Sequence, residues 1–473
     1  MKKLLKLLAL VIAILAILRI AEPKEQTLVI LSTNDMHGKI QRMPELATAV
    51  QACRDTTDRV LLVDAGDRWT GNAYVDRVAE PGRPIIDLMN RLGYDAAVLG
   101  NHEFDHGQAY LGRVLDQMVE FEMLCANVVS DTCTFRQPKP YTVLERGGLK
   151  IGVVGVITNY DNQGYPAGNA DSYAGLRFTD PQAEAMRAAD SLREAVDVLI
   201  LLSHMGDDRD MELLAKESRY DLVIGGHTHE LRDTVVCGTQ LAQTYKDLRN
   251  VGVTQIKMRG KRVKEVSYEN RPITDFAPDS AIAAEVARYY ADEELNRPIG
   301  TMTQTASDIG LANWFVELAK RHTKAEVGFY HRGGVRLDSI PAGGVGTAAV
   351  YDLEPFGSCV ATLEMTPAEM EQMILAKFNE PTREGGRYDL ISTTPYQIVT
   401  DAAGKAVEVR FPTLKAEQSY AVVISDYAFK NYAAIDRSKG QIGTRLLTDL
   451  MLEALREAPI VPDNEVYGQV VAQ

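Results

Sequence analysis

The stretch that most constrains this chain is residues 97–107. Ala97, Val98 and Leu99 read as the end of a buried strand, and Gly100 stops it. Asn101, His102, Glu103, Asp105 and His106 then follow within six positions. A close-packed interior rejects unpaired polar groups, so such a cluster belongs at a strand end that opens onto a cleft. Taken alone, the stretch also reads as a polar loop capping a helix. The rest of the chain decides between the two.

From residue 27 onward, short β-branched runs alternate with helical patterns, which argues for an α/β layered domain. Strands are expected at 27–31, 60–63, 96–99, 150–157, 198–202 and 222–224, and helices at 43–54, 84–92, 108–120, 181–196 and 211–217. What matters is where the strands stop. The first runs into Asp35 and His37, the second into Asp64 and Asp67, and the third into Asn101 and His102. The strand at 198 ends at His204, and the one at 222 runs into His227 and His229. The carboxyl ends of strands are where open α/β sheets build sites. Six of the eight histidines (His37, His102, His106, His204, His227, His229) lie in or beside these loops.

Imidazole nitrogens together with carboxylate oxygens suit Zn²⁺, Mn²⁺, Fe or Co better than Mg²⁺ or Ca²⁺. Seven candidate ligands at these strand ends are too many for one tetrahedral ion and suit two ions sharing a bridging carboxylate. Such a pair clamps the attacking and leaving oxygens of an in-line displacement at phosphorus. Any one of these histidines is more simply read as a helix cap or a backbone hydrogen bond; the whole set is not.

Asp35-x-His37, Gly66-Asp67, Gly100-Asn101-His102-Glu103, His204 and Gly226-His227-x-His229, in that order, resemble the calcineurin-like metallophosphoesterases. The continuation through Phe104 and Asp105 narrows the resemblance to the 5'-nucleotidase family, which includes ecto-5'-nucleotidases and periplasmic UDP-sugar hydrolases. The resemblance implies a layered α/β/β/α domain over residues 26–262. It implies one metal on Asp35, His37 and His229, a second on Asn101, His204 and His227, and Asp67 bridging both. His102 is then not a ligand but a catalytic group at the phosphate and leaving group, held by Asp105. In such a pair the carboxylate orients the imidazole and supports its charged form. The implied cofactors are two divalent metal ions (Zn, Mn, Co or Fe), and the implied reaction is in-line attack by metal-bound hydroxide. Glu103 and His106 receive no role.

Residues 260–272 read as a charged strand running into a connector, which spans 263–298 and contains a helix at 280–296. From 299 to 473 the chain resembles the family's C-terminal substrate-binding domain, which implies an α+β fold. Gly333-Gly334-Val335-Arg336 and Glu354-Pro355-Phe356-Gly357-Ser358 carry this part of the resemblance. It places Arg336 and Phe356 at substrate positions, with His331, Gly334 and Tyr432 beside them. A planar guanidinium suits phosphate, and a ring face suits a base. Three departures stand out. His331 lies where the family carries an asparagine, and the arginine expected between 304 and 313 is missing. The late Gly-Gly-Asp-Gly-aromatic segment is replaced by Ala428-Phe429-Lys430-Asn431-Tyr432. Phe429 and Tyr432 both compete for the second ring, and the bland reading makes Gly333-Gly334 a turn and Phe356 core.

At 473 residues the chain is long enough for two domains. A net charge of −14 argues against a nucleic-acid polymer as partner. It still permits a small phosphorylated molecule where metals or arginines reverse the local field. Met1, Lys2 and Lys3 precede an apolar run to Ile20 that only Lys6 and Arg19 interrupt. Residues 1–22 therefore read as an export signal or an uncleaved membrane anchor, placing the rest in the periplasm or at the cell envelope. Five cysteines form neither a disulfide framework nor a zinc spacing, although Cys125 and Cys133 are near enough to close a small loop. The expected function is an exported two-metal phosphoesterase acting on a nucleotide. The alternatives are a 2′,3′-cyclic nucleotide or non-nucleotide phosphoester as substrate, and a binding protein that has lost turnover.

Overall fold

The computed structural model describes residues 25–472 except 134, 218 and 380–389, so the expected export segment at 1–22 lies outside the described residues. The first domain is built from β1 (Glu25–Thr33), β2 (Val60–Asp64), β3 (Ala96–Val98), β4 (Glu122–Leu124), β5 (Tyr141–Arg146), β6 (Leu149–Ile157), β7 (Val198–His204), β8 (Leu222–Gly225), β9 (Leu231–Val236), β10 (Thr239–Thr244), β11 (Asn250–Arg259) and β12 (Arg262–Pro272). They form two sheets, ordered β12-β11-β1-β2-β3-β4 and β9-β10-β8-β7-β6-β5. In the first, β1 to β4 run parallel; in the second, β6, β7, β8 and β10 do. Antiparallel strands close the edges.

The unbroken apolar character of β2 and β7 follows from burial on both faces. Along β2, Leu61 and Val63 meet the second sheet, while Val60 and Leu62 meet helices. Along β7, Val198, Ile200 and Leu202 meet the first sheet, while Leu199 and Leu201 meet helices on the other side. Each such side chain contributes about 1.5–3 kcal/mol relative to exposure. Helices Met43–Arg54, Arg83–Leu92 and Gln108–Gln117 cover the first sheet, and Pro181–Leu192 and Asp207–Leu214 cover the second, giving α/β/β/α layers.

Several boundaries differ from the sequence reading. β7 continues past 202, and His204 still pairs with Ile157. The following helix starts at Asp207, because Gly206 at φ 95° turns the chain sharply off the strand. The strand expected at 260–272 is present as β12, which pairs with β11 as far as Asn250↔Pro272 and so belongs to the first sheet. The helix expected at 280–296 divides into Ser280–Tyr289 and Glu293–Asn296. Asp279 caps the first segment, and Asp292 starts the second by accepting from the Leu295 amide at 2.9 Å. Cys125 and Cys133 are free thiols. Among the described residues no helix is long and apolar enough to cross a membrane.

The second domain mixes helix and sheet around two cores. One surrounds helix Asp308–Thr323, whose start is capped by Ser307. The other lies under Cys359–Met365 and Tyr420–Ser425. The domain is docked on the first along residues 73–77. Tyr74 donates to Asn296 Oδ1 at 2.6 Å and packs its ring 4.4 Å from that of Tyr290. Arg77 lies 4.0 Å over the Tyr351 ring. Asp352 accepts from the Ala73 amide at 2.5 Å. Burial at this seam, opposed by Lys39, pushes the Asp352 carboxyl up to about 6. The folded protein thus holds this proton more tightly than the unfolded chain, so stability falls as pH rises from about 4 to about 6. Asp352→Asn keeps an acceptor for Ala73 and removes the buried charge. Its melting temperature should exceed that of the wild type at pH 7.5, with the gap closing by pH 4; an equal or lower value at pH 7.5 counts against this reading.

Candidate metal centre

The carboxyl ends of β1, β2, β3, β7 and β8 meet where the two sheets abut. Asp35, His37, Asp67, His227 and His229 all adopt left-handed backbone (φ 48°, 46°, 56°, 78° and 54°). Strain of this kind in non-glycine residues persists where surrounding structure over-determines it, and it clusters at functional sites. The glycines of the motifs let the loops touch. A Cβ on Gly100 would sit 2.2 Å from Asp67 Oδ1, and one on Gly66 would sit 2.6 Å from His204 Nδ1.

All seven expected ligands converge. Asp35, His37 and His229 form one group, and Asp67, His204 and His227 form another. Asn101 Oδ1 lies 3.0 Å from His227 Nδ1 and 3.3 Å from His204 Nε2. Asp67 Oδ2 lies 3.1 Å from His204 Nε2. The chemistry of this donor set fits a cation. His204 Nδ1 donates to the Ala65 carbonyl at 2.6 Å and His37 Nδ1 to the Thr70 carbonyl at 3.1 Å, turning both Nε2 atoms inward. His37 Nε2 then faces His229 Nε2 at 3.0 Å, and His204 Nε2 faces an amide oxygen and a carboxylate.

Electrostatics point the same way. Burial would raise the Asp67 carboxyl, yet His204 and His102 hold it well below the ordinary range. Burial opposes charge on His204, but Asp67 outweighs it and pushes the imidazole up to about 10. Burial together with His204 lowers His227 to about 4. Repulsion among buried imidazoles and attraction to one carboxylate are what bound cations would resolve.

His102 stands at the rim. Its Nδ1 is 2.7 Å from Asp105 Oδ2, and its Nε2 is 3.9 Å from Asp67 Oδ2. Burial opposes its charged form, while Asp105 and Asp67 outweigh that and raise it. His102 also makes a geometric group with His37 and Asp67. From the second domain, Arg336 Nη2 reaches to 3.2 and 3.1 Å of the His37 ring nitrogens, and Phe356 stacks on His102 at 5.8 Å.

The remaining sequence candidates lie elsewhere. His331 is buried, accepts or donates at Ser425 Oγ (3.0 Å) and stacks on Tyr427 at 4.7 Å. Gly334 packs directly against the His331 ring and thereby supports the turn that presents Arg336. Tyr432 and Phe429 sit in the core of the second domain. Glu103 is placed only by the structure. Fully buried, it accepts from the amides of Asp67 (3.1 Å), Arg68 (2.8 Å) and Gly100 (2.6 Å) and pairs with buried Arg68.

Two sheets back to back, with paired histidine and carboxylate groups at their shared edge, define a metal-dependent phosphoesterase. Comparison with known proteins agrees. Residues 28–231 match the calcineurin-like phosphoesterase family and residues 288–436 match the 5'-nucleotidase C-terminal domain. The chain belongs to the 5'-nucleotidase family of calcineurin-like phosphoesterases and is a phosphoric ester hydrolase. It is 25% identical to a 5'-nucleotidase of Vibrio cholerae, covering 92% of this chain and 91% of that protein. It is 24% identical to Protein UshA of Yersinia enterocolitica, covering 96% of each. The solved 5'-nucleotidase precursor of Thermus thermophilus shares its fold, with a TM-score of 0.82 at 21% identity over 94% of this chain and 99% of that one.

Proposed function

We propose that the chain is an exported 5'-nucleotidase-like hydrolase that cleaves a phosphomonoester or diphosphate bond of a nucleotide at a centre of two divalent ions (Zn, Mn, Co or Fe). The observation that carries this reading is the convergence of seven side chains whose donor atoms can ligate a cation. Asp35, His37 and His229 would hold one ion and Asn101, His204 and His227 the other, with Asp67 between them. Two such ions supply positive charge to a phosphoryl group and lower the pKa of bound water. His102, oriented by Asp105, donates from Nε2 to the phosphoryl or leaving oxygen, and its raised proton affinity keeps that proton available. Arg336 adds charge beside the phosphate, and Phe356 offers a ring face to the rest of the substrate. The basic and then apolar residues at 1–20 support action outside the cytoplasm.

A second reading has its own support. With Phe429 and Tyr432 buried, the nucleoside side of the site carries fewer free ring faces than the resemblance implies, which favours 2′,3′-cyclic nucleotides or simple phosphoesters. Phosphate release from nucleoside monophosphates, UDP-sugars, 2′,3′-cyclic nucleotides and simple esters, with Mn²⁺ added or chelated, separates the readings. A rate indifferent to chelation overturns the metal centre. Equal turnover of nucleotides and simple esters overturns the nucleotidase reading and leaves the second.

His102→Ala should lower kcat by roughly 10²–10⁴-fold with both metals retained. Metal analysis alongside kinetics checks it. Wild-type turnover removes the assigned role, and loss of metal would instead make His102 a ligand with His37 and Asp67.

A further inference from the structure

We propose that Asp161 is a positioning residue for the ligand His227, and that its neighbour Asn162 makes that placement depend on the docked second domain. The inference rests on the metal centre described above. β6 ends at Ile157, and the irregular loop after it begins with the Thr158 amide bonded to the carbonyl of His204 at 2.9 Å. The loop then carries Asp161 to His227, with a carboxylate oxygen 3.4 Å from Nε2 and both side chains nearly excluded from solvent (8% and 9% exposed). The other ring nitrogen, Nδ1, faces Asn101 Oδ1 at 3.0 Å. A carboxylate on Nε2 holds the proton there, so Nδ1 presents its lone pair toward the centre and the ring gains basicity. Without that carboxylate, the tautomer protonated at Nδ1 becomes available, since Asn101 Oδ1 can accept that proton.

The next residue ties the same loop to the other domain. Asn162 Nδ2 donates to Asn431 Oδ1 at 2.8 Å, at the end of the helix Asp426–Asn431. Ser425, which caps that helix, bonds His331, the residue before the turn leading to Arg336. Within the loop, the Ala167 amide donates to Asp161 at 3.3 Å, and Asn162 and Tyr165 exchange backbone hydrogen bonds at 3.0 and 3.1 Å. Asp161 and Asn162 therefore move together. A shift of the helix end at Asn431 is passed through one side-chain bond to the carboxylate that orients a ligand. The loop thus links the placement of the substrate-binding domain to affinity at one half of the centre.

The test titrates Mn²⁺ into the full chain, stripped of metal, by calorimetry, with circular dichroism confirming the fold. The wild type should bind two ions. Asp161→Ala should weaken one of the two binding events by roughly 10–100-fold and leave the other unchanged. Asp161→Asn, which keeps an acceptor for Nε2–H without the charge and is the milder change to the fold, should weaken the same event less. Asn162→Ala and Asn431→Ala should each weaken that event several-fold, and the double variant should be no weaker than either single one. Two ions bound at wild-type affinity by folded Asp161→Ala or Asp161→Asn overturns the positioning role. Unchanged binding by both asparagine variants overturns the dependence on the second domain. A wild type that binds no Mn²⁺ instead overturns the metal centre itself.

Discussion

Replacing Asp67 with asparagine should abolish tight binding of at least one ion and lower kcat/KM by about 10³-fold or more, the scale on which removal of a central electrostatic stabiliser acts. Asp67 groups with His37 on one side and with His204 and His227 on the other. Its Oδ2 faces His204 at 3.1 Å and His102 at 3.9 Å, and its Oδ1 accepts the His102 amide at 2.9 Å. An asparagine of the same size keeps the packing but supplies no charge, and it aims an amide donor at imidazoles or at a cation. Metal content and phosphate release, measured on protein with a native circular dichroism spectrum, check the outcome. Full metal content with wild-type turnover would show that the centre does not need the Asp67 carboxylate.

Glu103→Ala should destabilise the fold rather than act on the chemistry directly. Glu103 joins the loop after β2 to the loop after β3 through three backbone amides, and its carboxylate lies 3.2 Å from Arg68 Nη2, with neither side chain exposed. Truncation leaves a buried guanidinium with only Asp64 and the Val98 carbonyl as strong acceptors. Breaking a buried pair by removing one partner costs about 3–5 kcal/mol, and amides left unsatisfied add to it. The expected result is a melting temperature several degrees lower, with Glu103→Gln milder because it still accepts from the amides. A melt that superimposes on the wild type would show that the loops are held together by other contacts.

The candidate ligands were legible in the sequence as a cluster because their signal is local. A strand reveals itself by a short apolar run, its end by a glycine, and its chemistry by the next two or three residues; which of those residues would hold metal came from the resemblance to a known family. Supporting residues were harder to read. Glu103 stands two residues from a ligand and looked like part of the same polar loop, since nothing local distinguishes a carboxylate facing a cation from one facing backbone amides. Asp161 and Asn162 obey the same strand-end rule after β6, but no histidine marks the spot. Phe429 was plausible as a presented ring because helix Asp426–Asn431 gives no sequence cue to the side it buries.

By itself the sequence determined the chemistry available: which acids, imidazoles and amides exist, and that strand ends deliver them together to one edge of an α/β layer. Composition and short-range periodicity suffice for that, because each strand and loop is specified by neighbouring residues. Tertiary structure decided which groups face each other and with which atoms. His204 turns its Nε2 inward because the Ala65 carbonyl, 139 positions away in the chain, takes its Nδ1 proton. Arg336 reaches His37 across 299 positions only because the second domain is docked. Such pairings depend on sheet-on-sheet packing and on a seam between domains, which no local pattern encodes.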